Sequence, residues 1–168
     1  ASAMNVEVFQ RDGKGKGRAV IKGLEIAEER GYDFMLLVDC DASYPVNALS
    51  EFLAYDASDL IIAVRNMQDI EVKRRAANIV MTRTLNALFG SQLKDMASGM
   101  RALRVATFSK RLTARRFDIE PQICAIALSN KFKIEEFAIA YYPREGKSKV
   151  GLMDFFEAIW RMVIERLR

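Results

Sequence analysis

Apolar positions follow two different periods along the chain, and these periods predict alternating strands and helices. The continuous apolar runs Phe34–Val38 and Leu60–Val64 are typical of buried strands. A long helix is predicted from about Val72 to Phe89, ended by the glycine that follows, and Pro45 is well placed to open another. The other predicted strands are Asn5–Phe9, Met100–Val105 and Lys133–Tyr141, and the other predicted helices are one containing Ala19, Val20, Leu24 and Ala27, then Ala106–Leu112, Ile119–Leu128 and Leu152–Arg168.

This alternation of strands and helices predicts an α/β fold. Because several strands are apolar throughout, we expect a mostly parallel, Rossmann-like sheet with helices on both faces. The length of 168 residues fits one domain. That domain is expected to span residues 5–168, with residues 1–4 interpreted as a remnant of cloning.

The chain has no histidine, which excludes several kinds of active site. Ser-His-Asp and Cys-His catalysis and every histidine-ligated metal site are ruled out. A metal site would need oxygen ligands, which favour Mg²⁺ or Mn²⁺ over zinc. The two cysteines, Cys40 and Cys124, lack CxxC spacing and are interpreted as small core residues in a reducing compartment.

The net charge of the chain is +4, and its pI is about 9.1. This mild basicity suits a phosphate-bearing ligand or an anionic membrane surface, and a solvated basic face without a partner is equally common. The sequence contains no uninterrupted apolar run of transmembrane length.

Two common nucleotide-binding fingerprints are both incomplete. In the glycine-rich segment that begins at Gly13, position 18 is an arginine where GxGxxG needs a glycine. The segment from Gly146 to Ser148 is similar to the end of a Walker A loop, but the position of that loop's first glycine is occupied by Tyr141.

Two aspartates, Asp39 and Asp41, follow the first predicted buried strand with one residue between them. Side chains at i and i+2 of an extended segment point the same way, so both carboxylates are expected to converge on one point. A divalent cation there would offset their repulsion and hold a diphosphate. In the equally supported alternative, Asp41 or Ser43 only caps the following helix. Ligands of open α/β sheets bind beyond the carboxyl ends of the strands, which is where this pair lies.

Six short motifs occur in the chain in a recognisable order. They are Gly15-Lys16-Gly17, Asp39-Cys40-Asp41, Arg74-Arg75 to Leu88-Phe89-Gly90, Asp95 to Arg101, Phe117 to Glu120, and Arg144 to Lys149. In this order they resemble the family 2 glycosyltransferases of the polyprenyl-phosphate type, such as dolichol-phosphate mannose synthase. The resemblance covers nearly the whole chain. It implies a GT-A-like fold and the inverting, metal-dependent transfer of a hexose from a GDP-mannose or UDP-glucose type of donor to a polyprenyl or dolichyl phosphate.

The resemblance also implies roles for individual residues. The implied metal ligands are Asp39, Asp41 and Ser43, the last standing where the family usually has a glutamine. The implied ligands of the donor diphosphate are Asp39, Lys16, Arg144 and Lys149. The implied catalytic residues are Asp41 and Asp95, and the implied ligands of the acceptor phosphate are Arg74, Arg83 and Ser98. Glu120 is interpreted separately as an acid that complements the dipole of its own helix.

The expected partners follow from the same resemblance. They are a nucleotide sugar, Mg²⁺ or Mn²⁺, a polyprenyl phosphate lipid and the cytoplasmic face of a membrane, to which the protein would be peripheral or anchored. Nucleic acid is not an expected partner, and a homo-oligomer is left open. The family has a strand, a helix and a second strand before the GKG segment, whereas this chain starts just before it. The domain is therefore expected to be truncated at its amino terminus and to transfer little sugar by itself.

Two other functions remain open, and one segment has two readings. The chain is alternatively a GT-A nucleotidyltransferase, which also places acids around a metal-bound diphosphate, or a catalytically inactive interaction module. The last predicted helix, Leu152–Arg168, is amphipathic. The favoured reading is that its apolar face is buried against the sheet of its own domain, and the second is a helix at a membrane interface. We expect it to pack partly on the domain and to mark the side that faces the bilayer. Its arginines, Arg161, Arg166 and Arg168, would then face anionic lipid.

Overall fold

The computed structural model describes residues 6–10, 13–146 and 151–168. Its strands are Phe34–Leu37 (β1), Leu60–Arg65 (β2), Arg101–Arg104 (β3) and Ile134–Ile139 (β4). Its α-helices are Lys16–Glu29 (α1), Val72–Phe89 (α2), Val105–Phe108 (α3), Ile119–Ser129 (α4) and Leu152–Leu167 (α5), and its 3₁₀-helices are Val46–Tyr55 and Met67–Asp69. The predicted alternation of strands and helices is confirmed from β1 onwards, and α2 has the predicted bounds.

The four strands form one mixed sheet in the order β1-β3-β2-β4. β2 and β4 are parallel, with Leu60 opposite Ile134. β3 is antiparallel to both of its neighbours, so that Leu103 lies between Met35 of β1 and Leu60 of β2. Three strands therefore run in one direction and β3 runs against them, which makes two of the three neighbouring pairs antiparallel where a mostly parallel sheet was expected. The carboxyl ends of β1, β2 and β4 lie at the same edge of the sheet.

The sheet has a hydrophobic cluster on each face, and alternate residues of β2 contribute to each. Leu60 and Ile62 belong to the larger cluster, which they share with residues of α1, α2, α4 and α5. Ile61 and Ala63 belong to the smaller one, which includes Phe52 of the first 3₁₀-helix. Helical segments thus cover both faces, as predicted, with most of the helices on one of them.

Three local predictions were wrong. Residues 6–9, the described part of the predicted strand Asn5–Phe9, have no regular structure, because no described strand pairs with them. The helix predicted at Ala106–Leu112 spans only Val105–Phe108, and Lys110 soon after it has a left-handed φ of 63°. Cys40 is exposed, since it lies in the bend after β1 and not in the core.

β1 is less buried than its apolar sequence predicts. It lies at the edge of the sheet and pairs with β3 alone among the described strands. Leu36 is 37% exposed and Val38 is 38% exposed. A continuous apolar run therefore marks a strand here without marking one that is covered on both faces.

Candidate functional site

Lys16 joins the amino end of α1 to the carboxyl end of β1 and to α4. Its Nζ lies 2.7 Å from Asp39 Oδ1 and also contacts Glu120 Oε1. Burial disfavours the charge on this ammonium, but the two carboxylates outweigh burial and raise the pKa of Lys16 above its ordinary value. Lys16 therefore remains a cation that bridges three elements of the fold.

The glycines on either side of Lys16 pack closely on the loop of residues 114–116. The N–H of Gly17 donates to the carbonyl oxygen of Arg116 at 3.0 Å. Gly15 has a φ of 120° and lies against the carbonyl of Arg115, which a Cβ at this position would overlap. Only glycine fits both the conformation and the contact. This loop fixes the start of α1, and so fixes where Lys16 projects.

The other side of Asp39 is closed by Gly99. A Cβ at Gly99 would overlap the carboxylate of Asp39, so the close approach requires glycine. The N–H of Gly99 donates to the hydroxyl oxygen of Tyr44 at 2.6 Å, and the Tyr44 ring lies edge-on to that of Tyr141, with centroids 5.3 Å apart. The SGMR motif therefore contacts the first aspartate of the DCD motif directly.

Asp41 lies in the bend after β1 and has its own basic partner. Nη2 of Arg144 is 2.9 Å from Asp41 Oδ2. The hydroxyl of Ser43 donates to Asp41 Oδ1, and the Ser43 N–H reaches the same atom at 3.2 Å. The alternative that Asp41 or Ser43 caps the next helix is not supported, because the 3₁₀-helix Val46–Tyr55 has no side-chain cap.

The loop after β4 is docked on this bend by its backbone as well. The N–H of Tyr142 donates to the carbonyl oxygen of Ser43 at 3.0 Å, and the N–H of Glu145 donates to that of Asp41 at 2.8 Å. The motif that begins at Arg144 thus lies over the second aspartate of the DCD motif. Its predicted second cation, Lys149, falls outside the described residues.

Asp95 is fully buried and is held by Arg65, the last residue of β2. Nε of Arg65 lies 2.7 Å from Oδ2 of Asp95, and Nη2 lies 2.8 Å from Oδ1. Burial opposes the charge of this guanidinium, but Asp95 outweighs it and raises the pKa of Arg65. The guanidinium also lies over the ring of Tyr141, 5.3 Å from its centroid. Asp95 therefore fixes an arginine at the edge of the sheet where the DCD motif lies.

Ser98 and Arg101 serve the backbone of the same segment. The Ser98 hydroxyl is buried and donates to the carbonyl oxygen of Ala63 at 2.6 Å. The buried guanidinium of Arg101 donates to the carbonyl oxygens of Met96, at 2.9 Å, and of Ser98. These contacts hold the segment 95–101 in place, and they leave the predicted contact between Ser98 and an acceptor phosphate without support.

Comparisons with known proteins give relatives in sequence and in structure. A scan against models of known protein families finds no match. The chain is 26% identical over 178 residues to a dolichyl-phosphate hexose transferase of Haloferax volcanii. The alignment covers 100% of this chain and 77% of that protein. It is 23% identical over 175 residues to a UDP-N-acetylglucosamine–dolichyl-phosphate N-acetylglucosaminyltransferase of Methanococcus voltae, covering 96% of this chain and 70% of that one.

The fold is also that of a solved enzyme. Glucosyl-3-phosphoglycerate synthase of Mycobacterium tuberculosis aligns with a TM-score of 0.71 at 15% identity, covering 93% of this chain and 56% of the synthase. The chain has a GT-A fold. It spans about half the length of that solved enzyme. A second complex of the synthase, with Mn²⁺, UDP-glucose and phosphoglyceric acid, aligns with a TM-score of 0.67 at 17% identity, covering 92% of this chain and 55% of the synthase.

The donor set at the carboxyl end of β1 suits a hard divalent cation. Asp39 and Asp41 supply carboxylate oxygens and Ser43 a hydroxyl oxygen, which are the ligand types that Mg²⁺ and Mn²⁺ prefer. The described ranges contain no group of three or more acidic, cysteine or histidine side chains that could hold a metal ion. Mg²⁺ is commonly held by one or two protein carboxylates, with phosphate oxygens and water in the rest of its shell.

The two predicted acceptor ligands on α2 lie apart from these contacts. Nε of Arg74 is 3.5 Å from Glu71, a contact within the first turn of the helix, and Arg83 is exposed. In the part of the chain that the structure describes, no hydrogen bond or ion pair joins either arginine to the aspartates. The assignment of both residues to the acceptor phosphate stays a prediction.

Two residues of the site were missed by reasoning from the sequence. Arg65 ends an apolar strand, and a charged residue in that position is a signal, but its partner lies 30 positions away. Glu120 was interpreted through its helix dipole alone, although the F-x-x-E motif contains it. The structure places its carboxylate on Lys16.

Helix α5 has an unusual distribution of polar and apolar residues. The side that packs on the domain carries two buried acids, Asp154 and Glu165. The large apolar residues that remain exposed are Leu152, Met153, Phe156, Trp160 and Leu167. None of the helices in the described part of the chain has the length and hydropathy needed to cross a bilayer.

The arginines of α5 are engaged within the domain, which differs from the prediction. Arg161 Nη2 is 2.7 Å from Asp118 Oδ2, and Arg168 Nη1 is 3.2 Å from Glu165 Oε1. Arg166 donates to the carbonyl oxygen of Leu88 at 2.8 Å. Arg161 is therefore neutralised by Asp118, whereas Arg166 and Arg168 stay exposed near the end of the helix.

Proposed function

We propose that this domain belongs to an enzyme that transfers a hexose from a nucleotide sugar to a polyprenyl or dolichyl phosphate. The observation that carries the proposal is the pairing of the two DCD acids with two cations, Lys16 with Asp39 and Arg144 with Asp41. A metal-bound diphosphate carries both kinds of charge. Its metal ion can bind the two carboxylates, and its phosphate oxygens can bind Lys16 and Arg144. Similarity along the whole chain to a dolichyl-phosphate hexose transferase supports the lipid acceptor.

The donor would bind at the carboxyl end of β1. Asp39 and Asp41, with the Ser43 hydroxyl nearby, would hold Mg²⁺ or Mn²⁺, and the Mn²⁺ and UDP-glucose complex of the mycobacterial synthase supports a divalent cation. The cation would supply neutralising charge to the diphosphate as it leaves. Lys16 and Arg144 would turn from the aspartates to the phosphate oxygens. Lys149, from the same segment as Arg144, is proposed to join them.

The acceptor needs orientation more than activation. A lipid phosphate is already anionic, so its oxygen can attack the anomeric carbon without a strong base as the bond to the diphosphate breaks, which inverts that carbon. Arg74 and Arg83 are proposed to bind the acceptor phosphate. Because Asp95 is buried and engaged by Arg65, we assign it an orienting role instead of that of a base.

A polyprenyl or dolichyl phosphate acceptor would bring the enzyme to a membrane, and we propose the cytoplasmic face, where nucleotide sugars are available. The exposed apolar residues of α5, which include Phe156 and Trp160, suit the boundary between headgroups and acyl chains. Helix α5 is therefore proposed to face the bilayer through this side.

Calorimetric titration tests the donor site. We expect Mn²⁺, and then UDP-glucose or GDP-mannose in its presence, to bind the wild type. Asp41→Asn should weaken both by about tenfold or more, the loss expected for one charged contact. Asp33→Asn removes an exposed acid just before the other end of β1 and should have no effect.

The other outcomes identify the alternatives. Equal Mn²⁺ affinity in the wild type and Asp41→Asn would remove the metal role of Asp41. Absence of any nucleoside diphosphate binding would indicate an inactive interaction module. Release of pyrophosphate from a nucleoside triphosphate and a sugar phosphate would indicate a nucleotidyltransferase. Formation of a radiolabelled lipid from dolichyl phosphate and a labelled nucleotide sugar would support the proposed reaction directly.

A further inference from the structure

Glu120 is a buried acid to which the proposed reaction gives no task. It lies in the first turn of α4, is 9% exposed, and places its carboxylate on Lys16. A helix-dipole role would be fulfilled by an acid that pointed into solvent. The contact with Lys16, which is proposed to bind the donor diphosphate, needs a different explanation.

We propose that Glu120 is a positioning residue that retains Lys16 when Asp39 turns to a divalent cation. Lys16 then changes from two carboxylate partners to one, and its ammonium stays beside the diphosphate. The inference rests on the proposed role of Asp39 as a metal ligand.

The surroundings of the two acids decide which of them keeps the lysine. The side chain of Asp39 is 39% exposed, and that of Glu120 is 12% exposed. Asp39 lies in an irregular segment after β1, and the exposed part of its carboxylate faces a cation arriving from solvent. Glu120 is fixed on a helix whose residues from Ile119 to Ala127 are all buried. The exposed acid is the one that moves, and the buried acid holds its place.

The charges also favour this exchange. Lys16, Asp39 and Glu120 together carry one excess negative charge, which attracts a cation. Without Glu120, Mn²⁺ could bind Asp39 only by leaving a largely buried ammonium unpaired, and an uncompensated buried charge is strongly unfavourable. Glu120 removes this obstacle to metal binding.

A double-mutant cycle on Mn²⁺ affinity tests the inference. In the wild-type background, Glu120→Gln should weaken Mn²⁺ binding by about tenfold. Lys16 has then lost one of its two carboxylate partners and competes more strongly with Mn²⁺ for Asp39. In a Lys16→Met background, which has no competing ammonium, the same substitution should change the affinity by less than about twofold. Lys16→Met alone should bind Mn²⁺ more tightly than the wild type. Glu51→Gln, at an exposed acid of the first 3₁₀-helix, is the control and should leave Mn²⁺ binding unchanged.

Each outcome has a separate meaning. An equal loss from Glu120→Gln in both backgrounds would show that Glu120 acts through its charge alone and would overturn the inference. If Asp41→Asn weakens Mn²⁺ binding but Glu120→Gln does not, the proposed donor site stands and the inference falls. If the wild type binds no Mn²⁺, both fall. Circular dichroism checks the fold of each variant, and Glu120→Asp, which keeps the charge on a shorter side chain, replaces Glu120→Gln if the latter is unfolded.

Discussion

Arg65 and Asp95 form a bidentate ion pair inside the domain, with N–O distances of 2.7 and 2.8 Å. Asp95 is fully buried and Arg65 is 8% exposed. Asp95→Asn keeps the shape of the side chain but leaves the guanidinium without a countercharge. We expect this change to lower the free energy of unfolding by about 3–5 kcal/mol, measured by urea denaturation.

The matched control for this prediction is Asp69→Asn. Asp69 is exposed, and its substitution should change the free energy of unfolding by less than about 0.5 kcal/mol. Replacing both partners by apolar residues, as in Arg65→Met with Asp95→Leu, should cost less than Asp95→Asn alone. Wild-type stability of Asp95→Asn together with lost sugar transfer would instead favour Asp95 as the base.

Gly99→Ala should damage the donor site without a change of charge. The new Cβ would overlap the Asp39 carboxylate, so Asp39 must move. We expect Mn²⁺ affinity, measured by calorimetry, to fall by about tenfold, the loss of roughly one charged contact. Gly151→Ala is the control, because a Cβ there meets only an ordinary contact with Asp154. Unchanged affinity in Gly99→Ala would contradict this prediction and would show that the Asp39 carboxylate can shift away from position 99 without loss of metal binding.

The apolar face of α5 can be tested with vesicles. Phe156→Ser with Trp160→Ser should reduce co-sedimentation with anionic liposomes by at least about tenfold, since each large side chain contributes roughly 1.5–3 kcal/mol when buried. Val46→Ser with Leu53→Ser is a matched control. It removes two apolar residues that are 78% and 80% exposed, from the 3₁₀-helix on the opposite face of the sheet.

The same experiment distinguishes the two sources of lipid affinity. The arginines of α5 contact Asp118, Glu165 and the Leu88 carbonyl, so Arg166→Gln should have a smaller effect than the double serine variant. Equal binding by the wild type and the Phe156 and Trp160 variant would leave α5 with no membrane role.

Glu136 on β4 gives a prediction about pH. Burial raises the pKa of its carboxyl, although the N–H groups of Lys94 and Asp95 donate to it. A raised pKa means that the charged form opposes folding, so this penalty is absent at low pH and appears as the pH rises through the folded-state pKa. Glu136→Gln keeps an acceptor oxygen and should raise the Tm at pH 7 by about 1–2 °C.

Measuring the Tm of the wild type and of Glu136→Gln over a range of pH tests this prediction. The gain in Tm should shrink as the pH falls below the raised pKa, where both side chains are neutral. A gain that is constant from pH 4 to pH 8 would mean that the carboxylate is solvated in the folded state.

The long helix and the motifs could be predicted from local sequence. The directions of the strands and the contacts between elements could not. α2 was predicted at Val72–Phe89 because helix propensity, apolar spacing and a terminal glycine agree over 18 residues. β3 has only four residues, Arg101–Arg104, and nothing in so short a run encodes its direction against β1 and β2.

The same division holds within the candidate site. The DCD and GKG motifs were recognised, but the ion pair that joins them through Lys16 is a contact between elements. The role of Arg65 depends on Asp95, which lies 30 positions further along the chain. The role of Glu120 depends on Lys16, which lies 104 positions before it. The exposure of Cys40 follows from the bend after β1, which composition does not reveal.

The edge position of β1 has a consequence for the behaviour of the domain in solution. One side of β1 pairs with β3, and on its other side no described strand accepts its outward N–H and C=O groups. Leu36 and Val38 are partly exposed beside this row. An apolar strand edge that no described strand covers is a template to which further strands can add. Aggregation of partly unfolded chains would therefore start there at high protein concentration.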